Sequence, residues 1–156
     1  MFRTILMAAA MTLPAVAGAQ QPAPQAPAAP QQAAPSAADV DPTSLVRAAL
    51  QVIQVVDRNQ LGQLYDDASA TAKRAVTREA FMNNVAAARQ PLGAPASRVW
   101  WSVTRQVVPA GGQAPAGNYM SVRFATQFSG GRTMAELVSF RLDEDGTWRL
   151  AGYVVQ

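Results

Sequence analysis

The chain has 156 residues, a formal net charge of +3, and neither cysteine nor histidine. The missing cysteines exclude disulfide frameworks, thiol catalysis and cysteine-ligated zinc or iron–sulfur sites. The missing histidines exclude Ser-His-Asp and Cys-His catalytic machinery, HExxH metal sites and a histidine pH switch. From this length we expect a single folded domain, and we expect no cofactor.

The first twenty residues, MFRTILMAAAMTLPAVAGAQ, have the pattern of a secretory signal peptide. Arg3 precedes an apolar run from Ile5 to Val16, and Ala17-Gly18-Ala19 supplies the small residues that a signal peptidase requires. A retained membrane anchor would need about 20 apolar residues, whereas this run is shorter and contains Pro14. We therefore predict that residues 1–19 are cleaved off, that the protein is periplasmic or secreted, and that the mature chain has no transmembrane segment.

Residues 20–40 form a compositionally biased segment rich in Ala, Pro and Gln. Repeated prolines remove backbone donors and block helix formation, and the segment has little apolar surface to bury. We expect a disordered, extended tether that precedes one folded domain at residues 41–156. The tether is either a spacer that lifts the domain off a surface or partner, or a solvated tail without a role.

Helical patterns occupy the first half of the predicted domain. Asp41-Pro42 combines an N-cap with proline at the first helical position, and apolar residues then recur at 45, 49, 52, 53 and 56. After an interruption at residues 59–62, a short second helix is predicted over Gln63–Ser69. Thr77 caps a third helix, which ends at the Pro- and Gly-containing residues 90–95.

Beyond residue 95 the apolar period changes to two, which predicts four strands. They are Arg98–Val108, Tyr119–Phe128, Thr133–Leu142 and Thr147–Val155. Two to three helices packed on one face of a four-stranded antiparallel meander make an α+β fold. The pairing of the first two strands is less constrained than the others, because a long loop joins them. If Val103 opposes Phe124, the inner face also holds Val99, Trp101 and Val107.

The apolar rows restrict the register, because opposed residues of an antiparallel pair point to the same face. The predicted partners are Phe128 with Met134, Phe124 with Val138, Val122 with Phe140, Leu142 with Trp148 and Phe140 with Leu150. In the last strand, Val154 joins Trp148 and Leu150 on the inner face. The hairpin loops are then Gly130-Gly131-Arg132 and Glu144-Asp145-Gly146. The second loop has glycine where a three-residue hairpin needs positive φ.

The predicted domain resembles a family of exported bacterial domains of unknown function. The similar segments are L-Y-D-D-A-S, E-A-F, R-Q-P-L-G-A-P-A-S-R, G-N-Y, V-R-F-A-T, A-E-L-V-S-F and D-G-T-W-R-L-A-G-Y. They lie within Leu45–Tyr153, and Tyr65 stands where many relatives have tryptophan. That family has short helices before a four-strand sheet, similar to the cystatin and nuclear-transport-factor-like α+β roll. The resemblance implies the fold and the exported compartment but no reaction, since a roll can support many functions.

Glu136 is the one acid on an otherwise apolar strand face. A carboxylate that faces a core needs a partner or takes up a proton. Glu136 is therefore either a ligand contact or general base in a pocket between sheet and helices, or a structural acid bonded to loop amides, Arg98 or Arg89. The candidate pocket consists of Glu136, Thr126, Trp101, Arg105 and Arg98.

The predicted outer face of the sheet is apolar over one half, although a solvated face should be polar throughout. The apolar residues are Trp100, Ala125, Ala135, Leu137, Tyr153 and Val155. A patch of that breadth indicates a partner surface, unless an N-terminal segment or a loop folds over it. The other end of the face groups Arg123, Arg141 and Arg149. This basic patch either meets anionic headgroups, cell-wall polymer or an acidic partner, or is ordinary solvated surface.

Metal ions and nucleic acids are not expected partners. Asp143-Glu144-Asp145-Gly146 is similar to part of a calcium loop, but the later acidic ligands are missing and a plain hairpin turn is expected. The arginines are spread from Arg47 to Arg149, the net charge is small, and export removes the usual nucleic-acid targets.

Three functions remain, in a definite order. The first is a non-enzymatic interaction module that forms a homodimer or docks an envelope protein through its outer sheet face. The second is a small-molecule binder with a pocket around Glu136. The third is an enzyme that uses Glu136 as a base. It ranks last because the spacing places no second titrating residue beside Glu136, and paired groups are the usual sign of acid–base catalysis.

Overall fold

The structure is a computed structural model that describes residues 40–112 and 114–156. The predicted signal peptide and all of the predicted tether except Val40 lie outside the described residues. The described helices are α1 (Pro42–Asp57), α2 (Leu61–Asp66), α3 (Ala70–Ala75) and α4 (Arg78–Arg89), followed by a 3₁₀ turn at Gln90–Leu92. The strands are β1 (Pro95–Val108), β2 (Gly117–Phe128), β3 (Thr133–Leu142) and β4 (Trp148–Val155).

The predicted α+β class is confirmed, because helices precede a four-stranded antiparallel sheet of order β1-β2-β3-β4. The helix N-termini that the sequence predicts at Asp41 and Thr77 are also present. The Asp41 side chain accepts from the backbone N–H of Thr43 and Ser44, and the Thr77 hydroxyl accepts from that of Ala80 at 3.2 Å. None of the described helices is both long enough and apolar enough to cross a membrane.

The structure has one helix more than the three located in the sequence, because α3 (Ala70–Ala75) lies in a stretch to which the prediction assigned no helix. The predicted helix over Gln63–Ser69 corresponds to α2, which ends at Asp66. Ser69, predicted to be helical, instead caps α3, and its hydroxyl accepts from the Thr71 N–H at 3.2 Å. A serine that bonds its own backbone ends one helix and begins the next.

The core lies between the helices and the inner face of the sheet. α1 contributes a buried stripe at helical spacing, consisting of Leu45, Ala49, Ile53 and Val56. The sheet contributes alternate residues, among which Val122, Phe124 and Val138 are at most 1% exposed. The inner face is therefore a packed layer between sheet and helices.

The β2–β3 register has the predicted parity but differs by two residues in its pairing. Phe124 pairs with Glu136 rather than Val138, and Val122 pairs with Val138 rather than Phe140. The Phe128 N–H donates to Arg132 O at 2.8 Å, so the loop is residues 129–131. The predicted loop would put an arginine at the third position, where the structure has glycine 131 with a φ of 77°. Only glycine adopts that conformation without a steric cost.

The β3–β4 hairpin is confirmed at the turn and changes beyond it. Leu142 pairs with Trp148 and Phe140 with Leu150 as predicted, and Gly146 has the expected positive φ of 77°. A β-bulge at Ala151 then lets Ser139 pair with Gly152. Because a bulge adds one residue to one strand, the side chains beyond it change face. Tyr153 and Val155 therefore lie on the inner face and Val154 on the outer face, opposite to the prediction.

A second β-bulge lies at Trp101 in β1. Trp100 pairs with Phe124 and Ser102 with Arg123, so Trp101 has no partner of its own in β2. Val103 pairs with Val122 rather than Phe124. The predicted inward positions of Val99 and Trp101 are wrong, and each of these side chains is 64% exposed. Val107 keeps the inward register but is 66% exposed, because the helices leave this edge of the sheet uncovered.

Candidate functional site

Each of the four strands contributes one side chain to a cluster around Glu136, which has no exposed surface. Arg98 on β1 donates through Nε to Glu136 Oε2 at 2.7 Å. The Thr126 hydroxyl on β2 donates to the same oxygen. The Tyr153 hydroxyl on β4 donates to Oε1 at 2.6 Å. Both oxygens of the buried carboxylate are thus engaged by donors, as burial requires.

Two helix ends close the cluster from the other side. Asp57, the last residue of α1, accepts from Arg89 Nη2 at 2.7 Å and from Arg98 Nη1 at 3.2 Å. Arg89, the last residue of α4, also donates to Gly93 O at 2.6 Å. Its guanidinium carbon lies 4.4 Å from the centre of the Phe128 ring. Two carboxylates and two guanidiniums therefore balance each other where sheet and helices meet.

The electrostatics of this cluster favour fixed protonation states for its donors. Burial raises the pKa of Tyr153 far above its usual range, and the neighbouring charge of Glu136 adds to the effect. Burial works to lower the pKa of Arg98, but its hydrogen bond to Glu136 and the charges of Glu136 and Asp57 outweigh burial and raise it. The tyrosine therefore stays a neutral donor and the arginine a charged one.

The predicted pocket is only partly assembled. Glu136, Thr126 and Arg98 meet, whereas Trp101 and Arg105 do not join them. The bulge turns Trp101 away, and Arg105, opposite Met120 in the sheet, is exposed. A general base must reach the proton it abstracts. Glu136 has no exposed surface, and both of its carboxylate oxygens are bonded to side chains of the domain.

The prediction missed two members of the cluster. Tyr153 was assigned to the outer face because the bulge at Ala151 leaves no signal in the apolar alternation. Asp57 carries a readable signal, since an acid ends the apolar stripe of α1 one residue after Val56. Arg89 was named as a candidate partner of Glu136, and its Nε lies 4.0 Å from Glu136 Oε1.

The outer face of the sheet carries an apolar surface, here called the outer apolar patch. Its members are Val99, Trp101, Ala125, Ala135, Leu137 and Val154. Ala125, Ala135 and Leu137 lie on the face that the sequence predicts. The predicted members Trp100, Tyr153 and Val155 lie on the inner side instead, because the two bulges reverse the faces of their strand segments. Trp100 is nevertheless 53% exposed, since the helices do not cover it.

A shallow polar groove of about 350 Å³ adjoins the outer apolar patch. Its lining consists of Ser102, Thr104, Gln106, Ser121, Arg123 and Leu137. The Arg123 guanidinium carbon lies 5.8 Å from the centre of the Trp101 ring, and Arg123 makes no ion pair within the described residues. The outer face thus combines an exposed indole, an apolar surface and an uncompensated positive charge.

The family model described as a protein of unknown function, DUF4019, matches residues 48–153. The chain belongs to the DUF4019 family. No curated protein matches the sequence. The predicted resemblance to a family of domains of unknown function is confirmed by this match. The DUF4019 match contains all six residues of the Glu136 cluster. It also contains every member of the outer apolar patch apart from Val154.

The predicted basic patch of the DUF4019 domain does not form as a group. The register places Arg123 opposite Leu137, whereas Arg141 and Arg149 pair with each other near the β3–β4 turn. Arg141 Nη1 lies 2.9 Å from Asp143 Oδ1, and Arg149 Nη2 lies 2.7 Å from the carboxylate of Asp145. These two arginines are neutralised by the acids of the turn that joins their strands.

The acidic residues of this turn form ion pairs with Arg141 and Arg149. Burial works to raise the pKa of Asp143, but hydrogen bonds from Ser69, Arg141 and Arg149 outweigh it and lower the pKa. The predicted hairpin turn is confirmed by the bond from the Asp143 N–H to Thr147 O at 2.9 Å. Among residues 40–112 and 114–156, no group of three or more acidic side chains could hold a metal ion.

Proposed function

We propose that this DUF4019 protein is an exported, non-enzymatic interaction domain that binds a protein partner through its outer sheet face. The observation that carries the proposal is the outer apolar patch. Val99 and Trp101 are each 64% exposed and Val154 is 47% exposed, on a face where an isolated sheet should present polar residues. A contiguous apolar surface of this kind is typical of a protein interface.

The state of Glu136 supports this function over the ligand-binding and catalytic alternatives. A pocket built on Glu136 would need an accessible carboxylate, but its oxygens are bonded to Arg98, Thr126 and Tyr153. A cleft of about 420 Å³ nearby includes Asp57 and Arg89, which are already paired with each other. Polar groups that satisfy one another have little to offer a ligand.

The proposed location rests on the sequence of residues 1–19. A positively charged start, an apolar run and a small-residue cleavage site direct the chain to the periplasm or the medium. Mass spectrometry of the protein from the periplasmic fraction tests this location, and a mature N-terminus at Gln20 is expected. Full-length protein in the cytosol would contradict the export part of the proposal.

Site-specific photocrosslinking in living cells tests the interaction part. A benzophenone amino acid at Val154 reports on the outer apolar patch, and the same amino acid at Glu79, exposed on α4, is the control. We expect a defined crosslinked product at Val154 that is absent at Glu79. Leu137→Arg should abolish the product while leaving the melting temperature close to that of the wild type.

Light scattering on purified protein completes the test. If the crosslinked product is a dimer of the chain, the purified wild type should self-associate and Leu137→Arg should be monomeric. If the product contains another protein, the wild type should be monomeric alone and should bind that protein after purification. Equal crosslinking at Val154 and Glu79, or a product that Leu137→Arg leaves unchanged, would refute the interaction function.

A further inference from the structure

The exposed large hydrophobic residues of the domain are concentrated on one strand. Five such residues occur among the described residues, and four of them lie on β1: Val99, Trp100, Trp101 and Val107. β1 is 14 residues long and stands at the edge of the sheet, so within the described chain one side of its backbone has no neighbouring strand. An edge strand with apolar side chains is a template for pairing with another chain.

The apolar residues of β1 lie on both faces of the sheet. Val99 opposes Ala125 on the outer face, and Trp101 lies against Arg123 of that face. Trp100 opposes Phe124 on the inner side, and Val107 shares the inner side farther along. A partner that docks flat on the outer face would cover only half of these side chains. A strand added at the edge covers both faces, because its own side chains alternate.

Charge indicates the chemistry of such a strand. β1 and β2 contain no aspartate or glutamate. Arg123 on the outer face and Arg105 on the inner side make no ion pair within the described residues. Arg105 lies on β1 itself and Arg123 one strand further in on β2, so each face near this edge has one guanidinium without a carboxylate in the described chain. Carboxylates on both faces of a bound strand would complement these two charges electrostatically.

We infer that the β1 edge accepts an extended peptide segment of a partner protein that carries both acidic and apolar side chains on each of its two faces. The segment Ser102–Val108, which pairs regularly with β2 beyond the bulge, offers seven residues of backbone for the added strand, and the exposed Val99, Trp100 and Trp101 directly precede it. A second copy of β1 is a poor occupant, because it would bring further arginines and no acids to the same edge. This inference rests on the proposed function and specifies the chemistry of the partner.

A labelled peptide tests the inference on the purified mature protein. The probe, called the Glu/Val peptide, is a fluorescein-labelled octapeptide in which two Glu alternate with two Val, because this pattern places both residue types on each face of a strand. Binding is measured by fluorescence anisotropy. We expect saturable binding that weakens as salt is added. An octapeptide of the same pattern with Lys in place of Glu, called the Lys/Val peptide, should bind at least about tenfold more weakly, because its charges repel the edge. A Glu/Val peptide with N-methyl groups on alternate amides should also lose about tenfold or more, because it cannot complete the backbone ladder.

Charge-reversed variants locate the site. Arg105→Glu and Arg123→Glu should each weaken binding of the Glu/Val peptide and strengthen binding of the Lys/Val peptide. Arg74→Glu is the matched control, because Arg74 is exposed on α3, which packs against β4 at the opposite edge. It should change neither affinity by more than about twofold. Melting temperatures verify that each variant is folded.

Several results would overturn the inference. Equal binding of the Glu/Val and Lys/Val peptides would remove the role of charge, and full binding of the N-methylated peptide would remove strand pairing. Dimers crosslinked between the Val107 positions of two copies would show that a second copy occupies the edge. If no peptide binds while the crosslink at Val154 persists, the inference fails and the proposed function stands. If the crosslink is also absent, both fail.

Discussion

Replacing Glu136 with glutamine removes a charge from the most buried polar cluster described in the domain. The amide keeps one oxygen for Arg98 and Thr126 but presents an NH₂ group to the Tyr153 hydroxyl, which must turn round to accept. Arg98 and Arg89 are then left with Asp57 as the only carboxylate within reach. Their side chains are 13% and 9% exposed, so water compensates little for the lost charge.

The expected magnitude follows from that geometry. Breaking a buried ion pair by removing one partner costs about 3–5 kcal/mol, because the other charge stays buried without compensation. Glu136 is entirely buried and its contact with Arg98 is 2.7 Å, so this range applies to Glu136→Gln. The free energy of unfolding of a domain is about 5–15 kcal/mol. The variant should therefore be folded at low temperature but markedly easier to unfold.

Urea unfolding followed by tryptophan fluorescence measures the effect by linear extrapolation. Glu79→Gln makes the same chemical change at an exposed position and should alter the free energy of unfolding by less than about 0.5 kcal/mol. Adding Arg98→Met to Glu136→Gln should cost less than the sum of the single changes, because the two residues interact directly. A loss below about 1 kcal/mol for Glu136→Gln would refute a structural role and restore Glu136 as a functional acid.

Two further predictions concern the pH dependence of stability. Burial and the charge of Glu136 raise the pKa of Tyr153 above the ordinary 10.0, so its contribution to stability is complete below pH 10 and is lost as the pH rises through the folded-state pKa. Urea unfolding at pH 9 and pH 11 should show a larger fall for the wild type than for Tyr153→Phe, and equal falls would contradict this. Hydrogen bonds from Ser69 and Arg141 outweigh burial and lower the pKa of Asp143 below 3.8, so its contribution is present above that pH and is lost as the pH falls through the lowered pKa. Asp143→Asn should cost about 1.5–3 kcal/mol at pH 7, and a cost that did not shrink in acid would count against the ion pairs.

Local chemistry accounts for the parts of the fold that the sequence predicts well. Asp41 and Thr77 bond backbone N–H groups a few residues away, so their capping depends on neighbours in the chain alone. Gly146 occupies the position of a three-residue hairpin that needs positive φ, which identifies both the loop and the pairing beside it. The same rule would have chosen Gly131 for the third position of the β2–β3 loop and given the observed register.

The candidate site was predicted less completely, because its composition depends on contacts between distant strands. The isolated acid on an apolar strand identifies Glu136 as a residue that needs a partner, and Arg98 lies within reach once both face inward. Tyr153 could not be found in this way, since nothing in the alternation of β4 marks the bulge at Ala151. The exposed surface changed for the same reason, with Val154 on the outer face where the prediction has Tyr153.

The sequence alone determined the helical first half, the four strands and the parity of the apolar rows in β2 and β3, because these follow from interactions between residues close in the chain. Only the tertiary structure decided which side chains meet and which are exposed. A β-bulge disrupts one step of the ladder, so strand propensities barely distinguish a strand with a bulge from one without. The choice is made by packing across the sheet, where the bulge at Ala151 brings the Tyr153 hydroxyl to a carboxylate that could not be buried without donors.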